Sequence, residues 1–493
     1  MGRIYAVPVS NRVNLILSWA IIALAALLRL INLGYPKKLV FDETYYVKDA
    51  YTLWREGAEQ SWPNNPNPAF EAGQVNTYLD SASFVVHPPL GKWIIGLGMW
   101  LFGAENSFSW RIAVAVLGIA SVALVILVAR LIFNSWFWAN LAGLFLAIEG
   151  QAIVMSRTGL LDGSLAFFAL LAFYFVIRDQ NSRSIERLSF ARPWLWTAGV
   201  ALGAAMAVKW SGLYFLAAFG LYVVLYEALD RRAAQQQNWL RLGAVQQGWR
   251  NFVILVPTAA LTYLASWSGW LISSVGYSRQ WADSAENRWT GLFSWVPTSL
   301  QSLWHYHVEA LNFHVNLRTP HSYQANPLTW LFNVRPTSFF YESGQPYDPN
   351  CPTFSETACS SAITALAHPV IWLTATAAVF VTLYLLLRNR DRVAGMILLG
   401  LAGGYLPWLA LTHRTVFQFY SVVFTPWMIL ALVFVIQKYL ASAAPRQRLS
   451  YQLGITAFVL LCIALAAYFL PVWIGTWIPY SSWQLRMWLP SWI

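Results

Sequence analysis

The stretch Leu90-Gly91-Lys92-Trp93-Ile94-Ile95-Gly96-Leu97-Gly98-Met99-Trp100-Leu101-Phe102 decides how the whole chain is threaded. It is apolar, yet its 13 residues reach only about 20 Å as a helix, against the roughly 30 Å of a bilayer's hydrocarbon core. Taken as a crossing, it would reverse the side of every later loop. Taken as a helix lying in the membrane interface, it reverses none.

Longer apolar runs cover approximately residues 14–33, 110–133, 136–155, 159–178, 194–208, 211–228, 251–273, 369–388, 393–411, 417–438 and 452–474. They predict 11 membrane-spanning helices, the fifth of them short. With 90–102 excluded, 17 of the 32 Lys and Arg residues fall in loops on the N-terminal side, from Arg3 and Arg12 to Arg446 and Arg448, against five acids. The opposite side holds the other 15 positives and 16 acids. Counting 90–102 as a span would move 15 of the 17 across the membrane. Lys and Arg concentrate in short cytoplasmic loops, so the N-terminus is predicted cytoplasmic and the C-terminus outside. The first run starts basic, but no A-x-A-like cleavage site follows it, which predicts a retained helix and not a signal peptide.

Composition agrees with a membrane protein. Of 493 residues, 58% are hydrophobic and 11% charged, where soluble domains carry roughly 25% charge. An ordinary soluble enzyme is excluded, and one all-α polytopic membrane domain over residues 1–493 is predicted. The net charge of +11 is accounted for by the cytoplasmic loops; no basic stripe or motif points to nucleic acid, and membrane lipids are the expected surroundings. Two long segments, 34–109 with its interfacial helix and 275–368, fall outside, where the chemistry is expected. No phosphate-cradling G-x-x-x-x-G-K-[ST], GxSxG or HExxH occurs, which argues against nucleotide-driven and hydrolase readings. Cys351 and Cys359 share the second outer segment and are predicted to pair in an oxidising compartment.

The ionisable groups gather at the outer level. Phe41-Asp42-Glu43 follows the first helix, and adjacent carboxylates there are costly unless they meet cations or do work. His87-Pro88-Pro89-Leu90-Gly91-Lys92 opens the interfacial helix, with Lys92 placed either to meet a phosphate or to snorkel to headgroups. Arg111, Arg157, Asp162, Lys209, His413 and Arg414 lie at outer helix ends, where the cations serve as headgroup anchors or line one cavity for an anionic lipid headgroup. The second outer segment carries Trp304-His305-Tyr306-His307, His314, His321-Ser322-Tyr323 and Arg335-Pro336, rings beside polar groups that suit sugar or peptide recognition.

In their order and topology, Phe41-Asp42-Glu43, His87 to Lys92, Trp110-Arg111, Leu161-Asp162-Gly163, Lys209-Trp210-Ser211-Gly212, His321-Ser322-Tyr323, Arg335-Pro336 and His413-Arg414 resemble the protein O-mannosyltransferases over nearly the whole chain. Residues 483–492 and the Cys351/Cys359 loop look most similar to the actinobacterial branch. The resemblance implies a GT-C membrane fold and an inverting transfer of mannose from polyprenyl phosphate mannose to Ser or Thr of exported proteins. No carboxylate cluster beyond Asp42, Glu43 and Asp162 asks for a metal, so no cofactor or metal is expected. The resemblance also implies coupling to the protein translocation channel. Asp42 is then the expected base, Glu43 the residue orienting acceptor or sugar, and Arg111 the first choice for clamping the leaving phosphate, ahead of Lys92, Arg414 and His413. His87, Asp162, Lys209, His321, Tyr323 and Arg335 are the expected substrate contacts. If Arg111 is the clamp, Arg111→Lys should already impair the enzyme, since only guanidinium binds phosphate bidentately.

Two departures stand out. The 94 residues of 275–368 leave no room for the β-trefoil domain of the eukaryotic members, and Gln418 stands where another aromatic is expected. Two rival readings remain at this stage: a lipid-linked sugar transferase acting on lipid or glycan, and a lipid-phosphate transporter. A transporter would place ionisable groups near mid-membrane between repeated halves, and neither feature is evident.

Overall fold

The computed structural model describes residues 11–352 and 357–493, so that Arg3 lies outside the described residues. Helix α1 (Asn11–Leu30) leads into a first outer segment with α2 (Glu43–Glu56), α3 (Asn67–Glu71) and α4 (Leu90–Phe102). The bundle continues through α5 (Ser107–Phe133), α6 (Trp136–Ala147), α7 (Gly150–Met155), α8 (Asp162–Ser182), α9 (Pro193–Val208) and α10 (Gly212–Ala233). Next come α11 (Gly248–Ser266) and α12 (Ser268–Ile272), then the second outer segment with α13 (Thr298–Asn316), β1 (Ser338–Gly344) and β2 (Cys359–Thr364). The chain closes with α14 (Pro369–Asn389), α15 (Arg392–Gly404), α16 (Leu406–Leu409), α17 (Thr425–Ser442), α18 (Arg448–Ile474), β3 (Ile478–Pro479) and α19 (Tyr480–Gln484).

Six of the described helices, α1, α5, α10, α14, α17 and α18, are long and apolar enough to cross a membrane. Four of the predicted runs are not continuous helices, 251–273 among them, where α11 gives way to α12 at Trp267. The run 136–155 breaks between α6 and α7, where buried Arg29 donates to the carbonyls of Leu146 (3.2 Å) and Ala147 (3.1 Å) and buried Glu149 accepts from Ala152 N (2.6 Å). One residue thus satisfies the carbonyls that end a helix and the other a donor that opens the next. The run 393–411 divides at Tyr405, just before Pro407, and 417–438 begins as a 3-10 turn, Gln418–Val423, ahead of Pro426.

The expectation of an all-α chain is corrected by a three-stranded antiparallel sheet in the order β1-β2-β3. Its signal was weak for a physical reason: β2 is buried along its whole length, so it shows no alternation of polar and apolar residues. β1 is carried by Phe339, Phe340 and Tyr341, ring-bearing residues that favour strands but also suit a recognition loop. Cys351, in the segment that connects β1 to β2, is bonded to Cys359 at the start of β2.

Short α4 is held by close approach. A Cβ on Gly96 would sit 1.8 Å from Trp54, and one on Gly98 would sit 2.3 Å from the carbonyl of Ser109. Only glycine lets α2 and the start of α5 reach α4 there, which fixes the first outer segment above the bundle. At the end that the charge pattern assigns to the cytoplasm, Glu227 gathers Arg183, Arg192 and Arg231, and Asp179 also pairs with Arg192.

Candidate active site

Asp42 and Glu43 open α2, and their surroundings divide them. Phe41 adopts a left-handed backbone (φ 49°), which costs energy for a bulky residue unless packing holds it. Four rings hold it: Phe339, Phe417, Phe419 and His321 lie 5.2 to 5.7 Å from its own. The turn that follows buries Glu43 completely. Its Oε1 accepts from Arg111 Nε (2.8 Å) and Gly159 N (2.7 Å), while Oε2 accepts from Arg111 Nη2 (2.8 Å) and Val40 N (3.0 Å).

Arg111, the residue expected to clamp the phosphate, is engaged by the protein itself. Besides gripping Glu43, it donates to the carbonyls of Leu33, Pro36 and Lys38 at 3.0 to 3.2 Å, and it is 1% exposed. Glu43 cannot orient acceptor or sugar with both oxygens so engaged. The pair joins the first outer segment, the start of α5 and the turn before α8, a structural task that the spacing of the residues did not reveal. Arg157 similarly donates to the carbonyls of Leu28, Arg29, Ile31 and Asn32, closing the end of α1.

Asp42 is left free of that pair. It is half-buried, hydrogen-bonded by Tyr46, and senses Lys209 and Asp162. Burial pushes its carboxyl up to about 6, with Lys209 pulling the other way. Lys209 Nζ binds both oxygens of Asp162 (2.9 and 3.0 Å) and lies 4.1 Å from the ring centre of Tyr420. The negative face of that ring and the carboxylate hold one ammonium between them.

Lys209 and Tyr420 also form part of the wall of a 600 Å³ cavity, with His87, His314, His413 and Arg414 among its polar lining and Leu213, Leu311 and Val315 among its apolar lining. Arg414 Nη2 donates to His314 Nδ1 (2.8 Å), whose Nε2 then donates to Val86 O (3.0 Å), so His314 is the neutral Nε2-H form. Burial and Arg414 bring the His314 pKa down to about 4. Arg414 Nε and His87 Nδ1 are buried without a partner among the described residues. His87 is likewise held far below the ordinary imidazole value, by burial and then by Lys209.

Trp210 Nε1 donates to the Tyr263 hydroxyl (2.9 Å), which donates to His307 Nε2 (2.6 Å), and His307 Nδ1 donates to Leu303 O (2.6 Å). This relay forms another wall of the cavity. Tyr263 was missed in the sequence because a lone tyrosine in an apolar run carries no signal. Glu59 was missed likewise. It pairs with buried Lys92, expected as a phosphate ligand, which also donates to His87 O (3.0 Å). Asp49 beside them is pushed up to about 7 by burial, against the pull of Lys92.

His321, Tyr323 and Arg335 do not reach the cavity wall. His321 backs Phe41; Arg335 lies over the Tyr323 ring at 5.0 Å and donates to Ser322 O and Ser491 O. Gln418 is buried, donating to Trp330 O (2.8 Å) where a ring was expected. Among the described residues no group of three or more His, Cys, Asp or Glu is arranged to hold a metal ion.

The family described as dolichyl-phosphate-mannose-protein mannosyltransferase matches residues 103–272, and the C-terminal four-transmembrane region of protein O-mannosyltransferases matches 299–492. A polyprenol-phosphate-mannose–protein mannosyltransferase of Mycolicibacterium smegmatis is 32% identical over 96% of this chain and 92% of its own. The chain belongs to the protein O-mannosyltransferase family. A second member, from Mycobacterium tuberculosis, is 30% identical over 98% of this chain and 93% of its own. In fold the chain is similar to the yeast protein O-mannosyltransferase Pmt1-Pmt2 complex bound to the sugar donor, with a TM-score of 0.73 at 15% identity over 98% of this chain and 93% of that one. Similarity extends at a TM-score of 0.50 to ArnT of Cupriavidus metallidurans, at 18% identity over 93% of this chain and 65% of that one.

Proposed function

We propose that this protein transfers mannose from polyprenyl phosphate mannose to Ser and Thr hydroxyls of exported proteins, at the extracytoplasmic face and with inversion. The observation that carries the reading is Asp42, a carboxylate left free of the Glu43–Arg111 pair and coupled to Lys209, which lines the cavity together with Arg414. The relatives' printed names and the donor-bound yeast neighbour support the same reaction class.

In the proposed step the acceptor oxygen attacks the anomeric carbon and its proton passes to Asp42. The bond from that carbon to the phosphate oxygen breaks, and the phosphate keeps the electron pair. A base whose pKa is about 6 is ionised at neutral pH yet still basic enough to take the proton as the new bond forms. Arg414, with its Nε unspent, and Lys209 meet the charge that grows on the leaving phosphate. His413 and His87 line the donor pocket. We place the crossings at 11, counting α6 with α7 and α15 with α16 as single broken spans and α4 as interfacial. Inversion is tested by the anomeric configuration of the glycopeptide product relative to a donor of defined configuration. Retained configuration would point to a covalent intermediate and against a single displacement.

A further inference from the structure

Helix α13 is amphipathic, with its polar and apolar faces placed unusually. Gln301, Ser302, Leu303, Tyr306 and Ala310 face inward and are buried, Leu303 and Tyr306 against Trp267 and Trp270. The outward face carries Leu300, Trp304, Val308, Leu311 and Val315, spaced at four, four, three and four residues, and these are 37%, 63%, 40%, 51% and 57% exposed. This is one unbroken apolar stripe along a helix. Just before it, Leu292, Phe293 and Trp295 are also exposed. Large apolar patches of this kind mark a surface that meets an apolar partner.

The last two stripe residues identify that partner, because Leu311 and Val315 line the cavity as well as the surface. The stripe is thus continuous with the cavity, which opens beside Leu213 at the outer end of α10. A volume of 600 Å³ is that of a pocket for a drug-sized ligand; it takes a sugar phosphate and the first carbons of a lipid, and a long chain must continue beyond it. We propose that α13 is a membrane-surface ledge along which the isoprenoid chain of a polyprenyl phosphate leaves the cavity, with Trp304 and Val308 as its outer contacts. This rests on the assignment of the cavity to the donor phosphate. Apolar contact along the stripe then adds affinity that grows with chain length.

The test uses the full-length protein in lipid nanodiscs. A long-chain polyprenyl phosphate carrying a photoreactive group partway along its chain should label residues of α13, and unlabelled polyprenyl phosphate should compete. The double variant Trp304→Gln/Val308→Gln alters only exposed side chains. It should raise KM for a long-chain mannosyl donor about tenfold and leave KM for a short-chain donor with the same headgroup unchanged. Equal effects on both donors, no effect on either, or labelling confined to the transmembrane helices would overturn the ledge. Competed labelling of α13 without any mannose transfer to peptide would support the ledge and defeat the reaction assigned above. Transfer without α13 labelling would do the reverse.

Discussion

Removing the hydroxyl of Tyr46 tests the assigned base without touching it. That hydrogen bond favours the ionised form of Asp42, so Tyr46→Phe should raise its pKa from about 6. Because the ionised form is the active base, wild-type kcat/KM should fall as pH drops through about 6, and in the variant this acid limb should move to higher pH. A limb that stays in place would remove Asp42 as the group reported. Arg111→Lys is expected to impair the enzyme too, by a different route. An ammonium cannot satisfy Glu43 and three carbonyls together, and disrupting a buried ion pair costs about 3–5 kcal/mol when one partner is removed. Thermal stability should therefore drop with activity, while KM for the donor in the surviving folded fraction stays near wild type; a selective rise in KM at unchanged stability would restore Arg111 as a phosphate ligand. The motif Asp42-Glu43 was legible as a costly pair of acids, and the Lys209–Asp162 level was legible as a place of concentrated charge. The division of labour between the two acids was not legible, because it depends on which one Arg111 reaches from 68 residues away.

Helices were legible as apolar runs, and their interruptions were not. The break in 136–155 depends on partners distant in sequence: Arg29 on α1 closes α6, and Glu149 opens α7 while accepting from His368 N (2.9 Å) at the head of α14. Glu149→Ala leaves those donors buried and unpaired, at about 1–3 kcal/mol each. The variant should lose thermal stability far more than Glu149→Gln, whose amide oxygen still accepts, and differential scanning of both in detergent checks this. The sheet escaped prediction for a related reason, since β2 is sheltered on both faces and shows the pattern of a buried segment of any kind. The short run 90–102, by contrast, was readable as a helix because its length is a property of the run alone; α4 spans the same residues.

At the scale of the molecule, charge asymmetry predicts which side of the membrane the cavity faces. Cysteine labelling with a membrane-impermeant maleimide on intact cells tests this. Asn312→Cys on exposed α13 should react directly, and Gln235→Cys, exposed beyond α10, should react only after permeabilisation. The reverse pattern would place the site in the cytoplasm and leave exported proteins out of its reach. The family was legible from the order of its motifs, and the cavity was not, since it is assembled from His87, α9, α10, α11, α13 and the turn after α16, elements far apart in the chain. Whether Asp42 takes the acceptor proton in a metal-free transfer is read by mannose transfer from synthetic polyprenyl phosphate mannose to a Ser/Thr-rich peptide by purified protein, with Asp42→Asn and EDTA in parallel. Transfer by wild type should survive EDTA, and transfer should fall by about 10² to 10⁴ in the variant. Transfer by Asp42→Asn at the wild-type rate, or abolition of wild-type transfer by EDTA, would contradict that assignment.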